Sequence, residues 1–190
     1  MPGWWVISYV VLWVLVVALA VTVVALARQI GTLHLRLGPS GVLEVDGEGP
    51  PLGEAVPPFV ARDLSGREIF VGGPAEGGAR GRLLLFTMPT CLLCEQVVPG
   101  LEPVARSARL DPVLLTAATE QEARAAYASV RAPVVAGEGT VQIFDVPGTP
   151  YAVVLDEAGV VRAKGTVNNL EQLEGLVDTG RGRAAEAESA

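Results

Sequence analysis

The stretch "FTMPTCLLCEQVVPG", Phe86–Gly100, contains both cysteines of the chain, Cys91 and Cys94. It follows an apolar run, "RLLLF" (Arg82–Phe86), that suits a strand buried on both faces. Pro89 then breaks the chain, and a helix is expected to begin at or near Cys91. The N–H groups of a first helical turn have no partner within the helix and carry positive potential. A thiolate at Cys91 is stabilised there, so its pKa is expected below the ordinary ~8.5. Cys94, a turn further in, is expected to be the more buried thiol. One exposed nucleophile and one resolving neighbour are what a dithiol redox couple requires. Pro99 and Pro103 lie in the helical stretch that follows (Val97, Leu101, Val104 and Ala108 on one face) and predict a kink.

Other uses of two cysteines fit poorly. A structural zinc ion needs about four Cys or His ligands. The chain offers two Cys and one His, and His34 is far from the pair. Copper binding would want a further His or Met beside the thiols, where only Met88 stands. Peroxide reduction needs a threonine three residues before the attacking cysteine, a position filled by Met88 before Cys91 and by Cys91 before Cys94. Two buried free thiols are the plainest alternative, and the placement between a strand end and a helix start argues against it.

The rest of the chain supplies the surroundings. Residues Trp4–Ala27 carry no charge. As a helix they reach ~36 Å, enough to cross a hydrocarbon core of ~30 Å with some tilt. Trp4 and Trp5 suit an interfacial belt. A cleaved signal peptide is the rival, with "ALA" at 18–20 and 25–27, but the start lacks a basic region and the apolar run is long for one. Residues 28–51 read as a neck, helical at first, towards Leu37, then rich in Gly and Pro. The folded domain is expected over 52–178 and a disordered tail over 179–190. The net charge of −7 disfavours nucleic acid and anionic lipid surfaces as partners.

Within the domain, Phe59–Gly73 reads as a hairpin about Ser65-Gly66, "PVLLTA" (Pro112–Ala117) as a strand, and Thr119 with Glu122 as a capping box opening a helix. A linker leads to a second hairpin, Tyr151–Gly165. Asn168 with Glu171 caps a last helix that Gly180 ends. Asp63 and Asp156 read as turn-flanking residues, Tyr127 as packing and Glu95 as a solvated first-turn residue. The order predicts an α/β fold with a central mixed sheet and helices on both faces. "VPGTP" (Val146–Pro150) stands before a strand, and a cis Thr149–Pro150 bond there would turn the Thr149 backbone toward the cysteine helix. Such an edge can pair with an extended peptide.

Phe86–Pro99 and Gly148–Pro150 together resemble the thioredoxin fold. The apolar anchor, "RQIGTLHLRLGPSG", "GEAVPPF" and "FTMPTCLLCEQVVP" resemble more closely the methylamine dehydrogenase accessory family, MauD, over nearly the whole chain to about residue 177. The resemblance implies a thioredoxin-like domain behind a single transmembrane helix. It implies an extracytoplasmic thiol–disulfide oxidoreductase or isomerase acting in maturation of methylamine dehydrogenase, whose small subunit carries many disulfides. It implies Cys91 and Cys94 as catalytic residues, Thr149 and Pro150 as the substrate clamp, no cofactor beyond the cysteine pair, and a membrane redox partner of the MauE type. The positive-inside rule applied to Arg28 and Arg36 alone would place the domain in the cytoplasm; disulfide chemistry favours the periplasmic side of the inner membrane. Leu92, Thr90 and Glu95 depart from common thioredoxin patterns and leave the direction of electron flow open. A reductant of the cytochrome c maturation type and a non-catalytic tethered chaperone are the other readings.

Overall fold

The computed structural model describes residues 3–36, 47–75 and 77–189. It falls into two units, residues 1–41 and 42–190. The first contains one long helix, α1 (Gly3–Arg36). Its segment Gly3–Thr22 is long and apolar enough to cross a membrane, with a mean hydropathy of 2.5. The side chains of Trp4, Trp5, Leu12 and Val14 are all exposed. An all-apolar exposed surface of this length is consistent with a single-pass anchor. The expected helical neck reaches Arg36; its residues 37–46 lie outside the described residues.

The second unit is built on a five-stranded sheet of β3 (Gly81–Thr87), β4 (Asp111–Thr116), β5 (Val134–Ala136), β6 (Tyr151–Asp156) and β7 (Val161–Thr166), ordered β5-β4-β3-β6-β7. β3, β4 and β5 are parallel; β6 runs antiparallel to β3, and β7 to β6. β1 (Val60–Arg62) and β2 (Glu68–Phe70) form a separate antiparallel hairpin. The central strand β3 is buried along its length. Alternation sends Leu83 and Leu85 into one core and Leu84 and Phe86 into the other. Each fully buried leucine contributes ~1.5–3 kcal/mol, which explains why "LLL" sits where the sheet is covered on both sides.

One face is covered by α3 (Leu101–Ala108), α4 (Glu120–Ala126) and α6 (Leu170–Glu188), through Leu101, Val104, Ala123, Leu173 and Leu176. The other is covered by the hairpin and by α5 (Glu138–Gln142) with Phe144 just beyond it. Phe144 meets Phe86 edge-on at 5.0 Å between ring centroids and Phe59 at 5.9 Å.

Four sequence expectations need correction. β5 and α5 lie in the stretch read as a linker. The cap of α6 is Asn169, whose side chain accepts from Gln172 N, one residue after the pair expected. The tail from 179 is helical to Glu188 rather than disordered. Gly180 does not end α6: it is buried, and a Cβ there would stand 2.8 Å from Val154 Cγ1. It is a close-packing residue, and Ala184, Ala185 and Ala187 beyond it favour helix.

Candidate active site

The chain leaves β3 at Thr87, turns through Met88–Cys91 with Cys91 N donating to the Met88 carbonyl at 3.1 Å, and enters α2 (Leu92–Val97). Cys91 is the N-cap in extended backbone, φ −91° and ψ 105°. Its sulfur accepts the Cys94 N–H at 3.1 Å, the bond a serine or aspartate would make in the same position. A 3-10 turn, Val98–Gly100, separates α2 from α3 where Pro99 predicts the kink. Pro103 falls in the first turn of α3 and is tolerated there, because that N–H would have no helical partner.

Cys91 and Cys94 are joined in a disulfide, with Cα atoms 5.3 Å apart. The two sulfurs are not equivalent. Cys91 is half-buried, whereas Cys94 is 2% exposed and turned into the core beside Val97. Only Cys91 is open to a partner. Leu92 and Leu93, between them, are exposed at 78% and 44% and give the opening an apolar rim.

Thr149 arrives from the far side of the sequence. Its carbonyl oxygen lies 3.6 Å from Cys91 Sγ, across 58 positions of chain. In the disulfide that sulfur carries no hydrogen, so this is an approach rather than a donated bond. The Thr149–Pro150 peptide bond is cis, and Pro150 is buried at the entrance to β6. All four residues singled out from the sequence, Cys91, Cys94, Thr149 and Pro150, therefore stand together. The arrangement offers one accessible sulfur, one buried sulfur able to displace whatever is bound to the first, and a backbone edge beside them.

Sequence reading missed two polar groups near this end of the sheet. Thr87 and Thr116, paired at the ends of β3 and β4, are fully buried, and Tyr127 from the end of α4 is 7% exposed. Burial pushes the Tyr127 phenol above its usual value, partly offset by the Thr87 and Thr116 hydroxyls nearby. Neither Thr87 Oγ1 nor Tyr127 Oη reaches hydrogen-bond geometry with any described residue. The second group is Lys164, 3% exposed on β7, bonded to the carbonyl of Glu48. A lysine interrupting the apolar pattern of β7 was the available signal.

No protein-family model matches the chain. Among solved structures it resembles one assigned as the thiol:disulfide interchange protein DsbE of Chlorobium tepidum, with a TM-score of 0.60 and 18% identity over 70% of this chain and 97% of that one. It also resembles a secreted Mycobacterium tuberculosis disulfide oxidoreductase homologous to Escherichia coli DsbE, with a TM-score of 0.51 and 22% identity over 63% of this chain and 94% of that one. These likenesses establish the thioredoxin-like fold. In sequence it is 37% identical to the methylamine utilization protein MauD of Methylorubrum extorquens, over 90% of this chain and 84% of that protein. It is 34% identical to MauD of Paracoccus denitrificans, over 95% and 91%. At that identity over nearly the full length of both proteins, the chain belongs to the MauD family of methylamine utilization proteins.

Proposed function

We propose that this protein is a membrane-anchored thiol–disulfide oxidoreductase that forms or corrects disulfides in the small subunit of methylamine dehydrogenase during its maturation. The observation that carries the reading is the asymmetric disulfide: a half-buried Cys91 at the helix start beside the Thr149 carbonyl, and a buried Cys94 behind it. Membership of the MauD family supports the substrate.

In the oxidising direction, a substrate thiolate attacks Cys91 Sγ. The Cys91–Cys94 bond breaks, and its electron pair leaves on Cys94, which takes a proton. A second substrate thiolate then attacks the substrate sulfur of the mixed disulfide and releases Cys91. The substrate has lost two electrons and two protons, and the pair is reduced. Correction of a wrong disulfide begins from the reduced pair, with Cys91 attacking and Cys94 providing the escape. Cys91 is the sulfur that meets the substrate, because it is half-buried at the start of α2, whereas Cys94 is 2% exposed behind it. Thr149 and Pro150 hold the substrate segment. The pair needs no further cofactor; a membrane protein of the MauE type reoxidises it. Helix α1 tethers the domain to the inner membrane with the domain on the periplasmic side, where disulfides persist.

The experiment is to replace Cys94 by Ala in cells making methylamine dehydrogenase and identify the protein trapped on Cys91. Capture of the small subunit is expected. Capture of an apocytochrome instead, with a potential near ~−270 mV rather than ~−120 to −180 mV, would replace this reading by that of a dedicated reductant. Cys91→Ser is expected to abolish both trapping and maturation; retained maturation would leave a non-catalytic role. A topology reporter fused after Ala190 that is active only in the cytoplasm would overturn the location.

A further inference from the structure

Lys164 faces the same side of the sheet as Val153, its partner in register, and Tyr151. That side is otherwise an apolar core, and a lysine 3% exposed there has given up most of its water. A buried ammonium group is tolerated only where its donors are met. Among the described residues the one acceptor that Lys164 Nζ meets is the backbone carbonyl of Glu48, at 2.6 Å.

Glu48 and Gly49 come from the opening segment of the second unit, and they make two further contacts. The Glu48 carbonyl also accepts the Tyr151 hydroxyl, at 3.3 Å. Gly49 N donates to the Asp145 carbonyl at 3.1 Å. Gly49 has φ +66°, where a side chain is strained, and a Cβ on it would lie 2.7 Å from the Tyr151 hydroxyl oxygen, so one of the two would have to shift. Asp145 itself holds φ 46°, a left-handed conformation uncommon outside glycine.

Asp145 and Tyr151 are the two ends of the loop that carries Thr149 and Pro150. Between them, residues 146–149 make no backbone hydrogen bond to any other described residue. The loop is therefore held at its ends, and both ends are tied to the same dipeptide. We propose that Glu48-Gly49 is a cross-brace, anchored by Lys164, that holds the Thr149–Pro150 segment against Cys91, which makes Lys164 and Gly49 positioning residues for exchange with peptide substrates. The proposal rests on Thr149 and Pro150 being the substrate clamp. The opening segment of the second unit is thus part of the binding machinery.

The test uses the full-length protein in detergent micelles and two variants, Lys164→Met, which removes the amine, and Gly49→Ala, which forces the strap off Tyr151. Each is assayed for hydrogen exchange over residues 146–151 and, starting from the Cys91–Cys94 disulfide, for reaction with dithiothreitol and with a short extended peptide carrying a cysteine thiol. Both variants are expected to speed hydrogen exchange in the loop and to lower the ratio of peptide to dithiothreitol rates about tenfold, through KM for the peptide. A general loss of structure would lower both rates together and overturn the proposal. So would unchanged loop exchange with an unchanged ratio; if one variant fails to fold, the other decides. The clamp is checked separately in Cys94→Ala carrying the trapped peptide. If the peptide gives no added protection at Thr149 and Tyr151, the clamp fails, and the brace is then judged on loop exchange in the free variants alone.

Discussion

Two buried polar sites in this domain are accounted for in opposite ways. Asp63, 6% exposed, closes the turn between β1 and β2. It accepts from Ser65 N and Arg67 N, both at 2.9 Å, from Ser65 Oγ, and from the Arg67 guanidinium at 2.9 and 3.0 Å. Burial alone would raise its carboxyl; these bonds, led by that from Ser65, outweigh it and hold the carboxyl below the usual range. The hydroxyls of Thr87 and Tyr127, as deeply buried, have no partner among the described residues. Every partner of Asp63 lies within four positions of it, so the turn that buries the carboxylate also satisfies it. Thr87, Thr116 and Tyr127 come from three elements brought together by packing, where no local geometry guarantees a bond. The unsatisfied site is also the one at the strand end that leads to Cys91. Orphaned polar groups in native proteins concentrate where something other than stability is being served.

The contrast can be broken most readily at Asp63. Asp63→Ala is expected to cost ~1–3 kcal/mol in urea melts at neutral pH. Most of this comes from the backbone bonds, because Arg67 is 67% exposed and its ion pair is screened by water. The sign of the pH dependence follows from the depressed carboxyl: its contribution is present above the unfolded value near ~3.9 and is lost as pH falls through the lower folded value. The penalty of the variant should therefore shrink in acid; a penalty unchanged by pH would remove charge from the account. A smaller loss, ~0.5–1.5 kcal/mol, is expected for Thr116→Val, whose hydroxyl oxygen accepts Ala118 N at 3.3 Å. Smallest of all should be Thr87→Val and Tyr127→Phe, each within ~0.5 kcal/mol of the parent or stabilising, since an unpaired hydroxyl is removed. Losses above ~1 kcal/mol at both would mean that the two hydroxyls are bonded after all, and the comparison would collapse. Difference titration of Tyr127→Phe sharpens the same point: the missing phenol should be the one that ionises above ~10.

The parts of this structure carried by local patterns were legible in the sequence. The apolar run of β3, the capping box of Thr119 and Glu122, the Asp63 turn and the cysteine spacing each depend on residues a few positions apart. What escaped depends on the rest of the fold. β5 is three residues between Pro133 and Gly137, too short to show a period, and it is a strand because β4 offers it an edge. α5 starts from Gly137 at φ +130° and contains Gly139, so neither cap nor propensity announces it. Asn168 and Asn169 are adjacent and equally good caps on paper; the bond from Asn168 N to Gln172 Oε1 at 2.7 Å fixes the frame. Gly180 reads as a stop locally and is a packing residue because Val154 lies against it. At the site, the placement of Thr149 and Pro150 beside Cys91 was legible, whereas the strap that ties their loop to Glu48 was not. Nothing in "DGEGPP" hints that a lysine more than a hundred positions later needs its carbonyl.

The Thr149 carbonyl beside Cys91 ties affinity to electron count. In the disulfide the sulfur has no hydrogen to offer, and the oxygen remains available to an N–H from a bound peptide. Once the pair is reduced, a protonated Cys91 can donate to that oxygen and competes with the peptide for it. With Thr149 as the proposed clamp, peptide would bind the oxidised protein more tightly than the reduced one, and by thermodynamic reciprocity a bound peptide would make the pair harder to reduce. On the proposed function, a client would be held while it still has electrons to give and let go once it has given them.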